Sequence, residues 1–223
     1  MNNKVKNVLL IVLAIGILGM TGAYALLSQN LHISSTGTLK GASWDIHLDN
    51  LSEPSYKLAN VASTSTETGA SATDAASVTK TPTVNPTSLT GFQVQFTKPN
   101  VSVSYTFDLV NAGTLDAILD SYYIAGRTGD HAFTCTGTAS DSTQAAADAQ
   151  LVCNNLTYTL KYTDGGSDVA TSNTLDKATV SGNTSTPTRR NVTLTLTLED
   201  METLPSADVT VSGLDVDFNY IQK

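Results

Sequence analysis

Histidines, cysteines and carboxylates are the first places to look for chemistry, and this chain spaces them sparsely. His47 stands between Asp45 and Asp49 at alternate positions, so on an extended backbone the three side chains share one face. A histidine with two carboxylates at that spacing is the start of a metal site or an acid–base pair. The plainer reading is the solvated face of a strand, which the apolar residues between them favour. His32 and His131 stand apart from this group. Cys135 and Cys153 are the only cysteines and bracket a polar, Ala-rich segment without a strand pattern, Thr136 to Leu151. In an oxidising compartment such a pair forms a disulfide. The alternatives are two free thiols, or a metal pair needing two further ligands for which no C-x-x-C or H-x-x-x-H spacing exists. Asp164-Gly165-Gly166-Ser167-Asp168 offers oxygens to calcium, but such a run is more often a hairpin turn. Leu204-Pro205-Ser206-Ala207-Asp208 has a superficial likeness to a sortase signal, with the wrong fourth residue and no apolar tail. No metalloprotease helix, serine-hydrolase elbow, phosphate loop or calcium loop is present. The sequons at Asn100, Asn155, Asn183 and Asn191 are what a Ser/Thr-rich chain produces by chance. The expectation is a protein that is not an enzyme, with no catalytic residue, metal or cofactor.

The remaining chemistry is a peptide bond to be cut. Lys4 and Lys6 precede an apolar run from Val8 to Leu27, and Ala23-Tyr24-Ala25 places small residues where a signal peptidase needs them. Residues 1–25 are read as a signal peptide cut after Ala25, or as an uncleaved anchor crossing the membrane through residues 8–27. Its length lies between the two, and the lysines put everything from Leu26 onward outside the cytoplasm in either case.

Composition agrees with export of a β domain. Of 223 residues only 14 % are charged, against the ~25 % usual in soluble domains, while Ser and Thr make up about a quarter. The net charge is −8, with 12 Lys plus Arg against 20 Asp plus Glu. No basic cluster exists to displace counterions from phosphates, which argues against a nucleic-acid partner. Poor helix formers dominate, which argues against a helical bundle.

The elements that would hold these residues alternate with period two. Trp44 to Leu48, Phe92 to Phe96, Val101 to Leu109, Leu156 to Tyr162, Val192 to Leu198 and Leu214 to Tyr220 each put apolar residues on one face, with Ser, Thr, Asp or Asn on the other. Pro99-Asn100, Asn111-Ala112-Gly113-Thr114 and Asp164-Gly165-Gly166 are turns. Seven to nine such strands, one face wet, predict an antiparallel β-sandwich over residues 41–223. Within it, residues 61–88 are expected to be an exposed Ser/Thr-rich loop and residues 135–153 a disulfide-closed loop.

Three stretches resemble the TasA/camelysin family of bacterial extracellular matrix fibre proteins. Gly22 to Asn30 matches the family's aromatic-plus-Ala cleavage region. Ser35-Thr36-Gly37-Thr38-Leu39 matches a turn shortly after the mature N-terminus. Phe107 to Leu115, with its Asn-x-Gly-Thr-Leu turn, matches a strand and turn of the sandwich. The resemblance covers the first half of the chain. It implies a jelly-roll sandwich, processing by a signal peptidase at Ala23 and Ala25, and head-to-tail polymerisation in which residues 26–40 supply a donor strand to the next subunit. Leu26, Leu27, Leu31 and Ile33 would dock into that neighbour. Two other readings stand beside it: a membrane-anchored monomeric adhesion domain, and a secreted metalloprotease of the camelysin kind.

Overall fold

A computed structural model describes residues 41–58, 73–129, 131–182 and 184–223. The signal segment with Ala23 and Ala25, the donor residues Leu26, Leu27, Leu31 and Ile33, and residues 61–72 of the expected loop lie outside the described residues.

From Ala42 to Lys223 the chain is one unit built almost wholly of antiparallel strands. One layer contains β1 (Ile46–Asp49) and β2 (Ser55–Leu58), both on the same side of β7 (Val101–Asn111), then β14 (Thr188–Leu198) and β10 (Leu156–Tyr162). The two central strands are eleven residues each and pair along their whole length, Val101 opposite Leu198 through Asn111 opposite Thr188. Their alternation does what period two requires. Val192, Leu194, Leu196 and Leu198 are buried, while the hydroxyls between them join across the wet face: Ser104 to Thr195 at 3.0 Å and Thr197 to Ser102 at 3.1 Å.

The facing layer is four strands broken at mid-length. One half runs β4 (Thr83–Val84), β5 (Ser88–Thr90), β16 (Val216–Gln222), β8 (Ala117–Ile124), edged by β11 (Thr174–Leu175). The other runs β3 (Ala76–Lys80), β6 (Gln93–Phe96), β15 (Val209–Ser212), β9 (Thr134–Gly137). The two orders correspond strand for strand, because β3 and β4, β5 and β6, and β15 and β16 follow each other closely across the break, while residues 125–133 join β8 to β9. Gly91 and Gly213 sit at it with φ of 74° and 73°, a conformation that glycine adopts without penalty. Asp215 ties it together, its carboxylate accepting from the Gly91 N–H at 2.8 Å and its carbonyl from the Ala125 N–H at 3.0 Å. The break divides the interior into two cores under one continuous layer. Val103, Tyr105, Phe92 and Phe96 belong to the first, and Phe107, Leu109, Leu119 and Phe218 to the second. A small hairpin, β12 (Thr179–Ser181) with β13 (Thr184–Thr186), completes the strands.

Two expectations are corrected. In the part of the 61–88 loop that is described, β3 and β4 are strands and Ser88 begins β5. Small polar side chains hide them, since their pairing with β6 and β5 rather than their own apolar pattern makes them strands. The cysteine loop holds a helix, α1 (Ser142–Asn154). Asp141 caps it, accepting from the Gln144 N–H at 2.9 Å, and Ala145, Ala146 and Ala147 follow, residues with the best helix propensity.

Candidate functional site

The histidine and carboxylates flagged by spacing do not converge. His47 Nδ1 lies 2.8 Å from Asp45 Oδ1 at the surface, whereas Asp49 turns to Arg189, 2.8 Å away. That hydrogen bond holds the Asp49 carboxyl below its ordinary range. Arg189 also reaches Asp108 at 3.3 Å, where Asn50 and Asn191 donate as well. Burial pushes the Asp108 carboxyl up, and these hydrogen bonds outweigh it, so the net direction is downward. The Asp49 and Asp108 carboxylates are thus engaged around Arg189, which links β1, β7 and β14. Among the described residues no group of three or more His, Cys, Asp or Glu side chains is placed to hold a metal. The Asp164 to Asp168 run is a turn, with Asp168 3.5 Å from Lys161. In the sortase-like run Ser206 serves Asp148 and Asp208 accepts from Gln95 at 2.8 Å. Of the sequon asparagines, Asn155 donates to the Leu151 carbonyl and Asn191 to Asp108.

The Asn-x-Gly-Thr turn is a corner, not a loop. Asn111 is fully buried. Its amide donates to the carbonyls of Leu115 and Leu175, each at 3.0 Å, and its side-chain oxygen accepts from the Gly113 N–H at 2.9 Å. A Cβ on Gly113 would lie 2.6 Å from the Ser43 carbonyl oxygen, so the chain entering the sandwich passes directly over this glycine. Ser43 is held there by Thr114, whose N–H donates to Ser43 O at 2.9 Å and whose Oγ1 accepts from Ser43 N–H at 2.8 Å.

What distinguishes this sandwich is the contrast between its two flanks, where the edge strands of the layers face each other. An edge strand presents unpaired N–H and C=O groups, a template for another strand. On the β10/β8–β9 flank these groups are covered. Tyr162 N–H donates to Ser167 O at 2.8 Å, Arg127 donates to Leu156 O at 3.0 Å, and Leu119 exchanges hydrogen bonds with Asn173 and Ser172. The α1 helix lies on β9 and is bound to it by the Cys135–Cys153 disulfide, with Cα atoms 6.0 Å apart. A crosslink closing a loop of this size stabilises by ~3 kcal/mol through the unfolded chain. Buried Asp148 fastens the helix's other side, accepting from Ser206 Oγ at 2.6 Å, Gln144 Nε2 at 2.8 Å and Ser206 N–H at 3.1 Å.

Ser206 holds the Asp148 carboxyl below the ordinary carboxylate range. A depressed folded-state pKa makes this tie complete above the unfolded value near ~4 and loses it as pH falls through the folded value. Asp148→Asn is therefore expected to lower stability at pH 7 and to flatten the loss of stability on acidification. Denaturant midpoints for both proteins between pH 7 and pH 3 check this; parallel curves would remove Asp148 from the acid response.

Among the described residues the β1–β2/β3–β4 flank shows fewer such ties. In the second-core half Leu48 N–H donates to Pro86 O at 2.8 Å. In the first-core half Ser55 and Lys57 face Ser104 and Ser102 of β7, which leaves the main-chain groups of Tyr56 pointing outward. On β3, Ala75 O accepts from Thr97 N–H, so by alternation Ala76 and Val78 point outward. The link between the two edges is a side chain: Tyr56 Oη accepts from Val78 N–H at 3.2 Å. Tyr56, Leu58 and Val78 are half-buried against the first core. Tyr56 is not singled out by its sequence neighbourhood, and its role follows only from the strands that surround it.

No protein-family model, no curated protein and no solved structure matches this chain.

Proposed function

We propose that this chain is an exported structural subunit that polymerises head to tail into extracellular fibres by donating residues 26–33 as a strand to a neighbouring copy. The observation that supports this best is the unevenly closed sandwich. Among the described residues, one flank is sealed by a helix, a disulfide and main-chain hydrogen bonds, while the hydrogen bonds across the other include those of Tyr56 and Pro86. An edge of that kind takes up an added strand, and a contact that does not close on itself propagates. The disulfide fits an oxidising compartment. The Ser/Thr surface, poor in charge, suits close packing of identical copies. The jelly-roll form implied by the resemblance belongs to the same reading. Eight strand positions in two antiparallel layers support it, although the first and last of them do not pair among the described residues.

Electron microscopy of the exported protein tests the proposal. Filaments are expected from the full exported chain. A variant lacking residues 26–33 should keep the far-ultraviolet dichroism of a β protein and remain monomeric. Filaments from the deletion variant would overturn the donor role. The apolar run from Val8 to Leu27 is long enough to span a membrane if left uncut, which supports a second reading, a membrane-anchored monomeric adhesion domain. N-terminal sequencing separates the two: Leu26 as first residue fits the fibre, Met1 the anchor.

A further inference from the structure

Independently of the fibre reading, we propose that Arg190, with Tyr220 and Asn173, forms a binding site between the two layers for the carboxylate of a small organic acid. The chain has 20 Asp plus Glu and three arginines, Arg127, Arg189 and Arg190. Arg189 is bound to Asp49 and Asp108, and Arg127 donates to the Leu156 carbonyl. Arg190 differs from both. Its partner in β7 is Leu109, which is buried, so its side chain starts from the inner face of β14. It is half-buried, and its guanidinium lies over the Tyr162 ring, 3.6 Å from the centroid. That stack covers one face of the planar group and leaves its N–H edge free, since no carboxylate or carbonyl accepts from it among the described residues. A guanidinium drawn partly out of water costs free energy unless an acceptor meets it.

Two neutral donors stand with it. Tyr220 comes from the facing layer, about 10 Å across, beside its buried β8 partner Leu119. Its hydroxyl has no hydrogen-bond partner among the described residues, and it lies near enough for Tyr162 and Arg190 to act on its titration. Burial raises that hydroxyl, Tyr162 adds to the rise and Arg190 opposes it. The net direction is upward, so it stays a donor at neutral pH. Asn173 lies on the other side of Leu119, whose N–H donates to the Asn173 carbonyl at 2.9 Å. The Asn173 side-chain oxygen accepts from Tyr162 Oη at 3.0 Å and from Ala170 N–H at 2.8 Å. Those two bonds fix the amide and leave its NH2 group to donate. A guanidinium fork, a hydroxyl and an amide together suit the two oxygens of a carboxylate, and one cation matches its single charge. A phosphate dianion calls for a second cation. Lys161, next to Tyr162, is exposed on the opposite face and meets Asp168 at 3.5 Å.

The test is titration of the nitrogen-15-labelled full-length protein with sodium acetate, sodium glucuronate, glucose and inorganic phosphate at constant ionic strength. The arginine side-chain Nε–H resonances are followed, and the three arginines report separately. Acetate and glucuronate are expected to shift the Arg190 signal saturably, with Arg127 and Arg189 unmoved and glucose without effect. Tighter binding of glucuronate assigns the carboxylate to an acidic sugar, and equal binding assigns it to a free acid; either supports the site. Phosphate binding tighter than both overturns the carboxylate assignment. No saturable shift at Arg190, or equal shifts at all three arginines, overturns the site. As a second measurement, Arg190→Lys keeps the charge and loses the fork, and should weaken glucuronate binding about tenfold. Tyr220→Phe keeps the ring and should weaken it about threefold. Both variants should retain the far-ultraviolet dichroism of the parent. Unchanged affinity in folded Arg190→Lys overturns bidentate recognition, and unchanged affinity in Tyr220→Phe removes Tyr220 from the site.

Discussion

Asn111→Ala is expected to destabilise the sandwich by ~3 kcal/mol or more, a large share of a domain's usual ~5–15 kcal/mol. The substitution deletes three hydrogen bonds at once in a fully buried position. The Leu115 and Leu175 carbonyls and the Gly113 N–H would each lose this partner, the last two of them in a buried setting. Each such group costs ~1–3 kcal/mol, and partial relaxation keeps the sum below the simple total. The effect should spread beyond the turn. Leu175 belongs to β11, which covers the edge of β8, and Gly113 holds the Ser43–Asp45 segment that leads into β1. Asn111→Asp should cost at least as much at pH 7, because a carboxylate has no proton to give the two carbonyls. Guanidinium unfolding of both variants checks this. A loss below ~1 kcal/mol for Asn111→Ala would mean that the corner is not what holds β1 and β11 in place.

Gly137→Ala is expected to lower stability by ~2–3 kcal/mol and the melting temperature by ~5 °C or more. Gly137 ends β9 directly beneath α1. An added methyl would meet the backbone of Ala145, with its carbonyl carbon at 2.9 Å and its Cα at 3.0 Å, besides its carbonyl oxygen. A main chain inside a helix cannot rotate away as a side chain does, so the whole helix must lift from the strand. Lifting it disturbs the seat of Val152 in the first core and the Asp148–Ser206 tie. The Cys135–Cys153 bridge keeps the displaced helix close. The loss should therefore grow under reducing conditions, and thermal unfolding with and without a reductant checks both parts. Equal melting curves for variant and parent would show that α1 is not seated on Gly137.

Much of the sandwich was legible because a half-buried strand repeats every two residues. Val101 to Leu109 and Val192 to Leu198 pair in full register as the central strands, and Leu156 to Tyr162 lies beside them. Residues 76–90 were illegible for a physical reason. Their exposed faces are Ser, Thr and Lys, and they are strands because β6 and β16 offer them an edge. The helix α1 did leave a signal, Asp141 three residues before Gln144 with an alanine run behind it, and the strand pattern of its surroundings masked it. The polar candidates show the same divide. Asp45, His47 and Asp49 do lie at alternating positions of one extended segment, but Arg189, 140 residues further along, draws Asp49 away from the histidine.

By itself the sequence determined the β class, the wet threonine face, the turns and the pair of cysteines free to join. All of these depend on the side chain's own shape and polarity and on its near neighbours. Only the tertiary structure decided that one layer is broken at Gly91 and Gly213, that Asn111 is sealed inside a corner, and that Tyr56 bridges two strand edges next to Tyr105, whose hydroxyl has no hydrogen-bond partner among the described residues. Those features depend on which distant segments meet, and hydrogen bonds across 22 to 124 residues leave no periodicity to read.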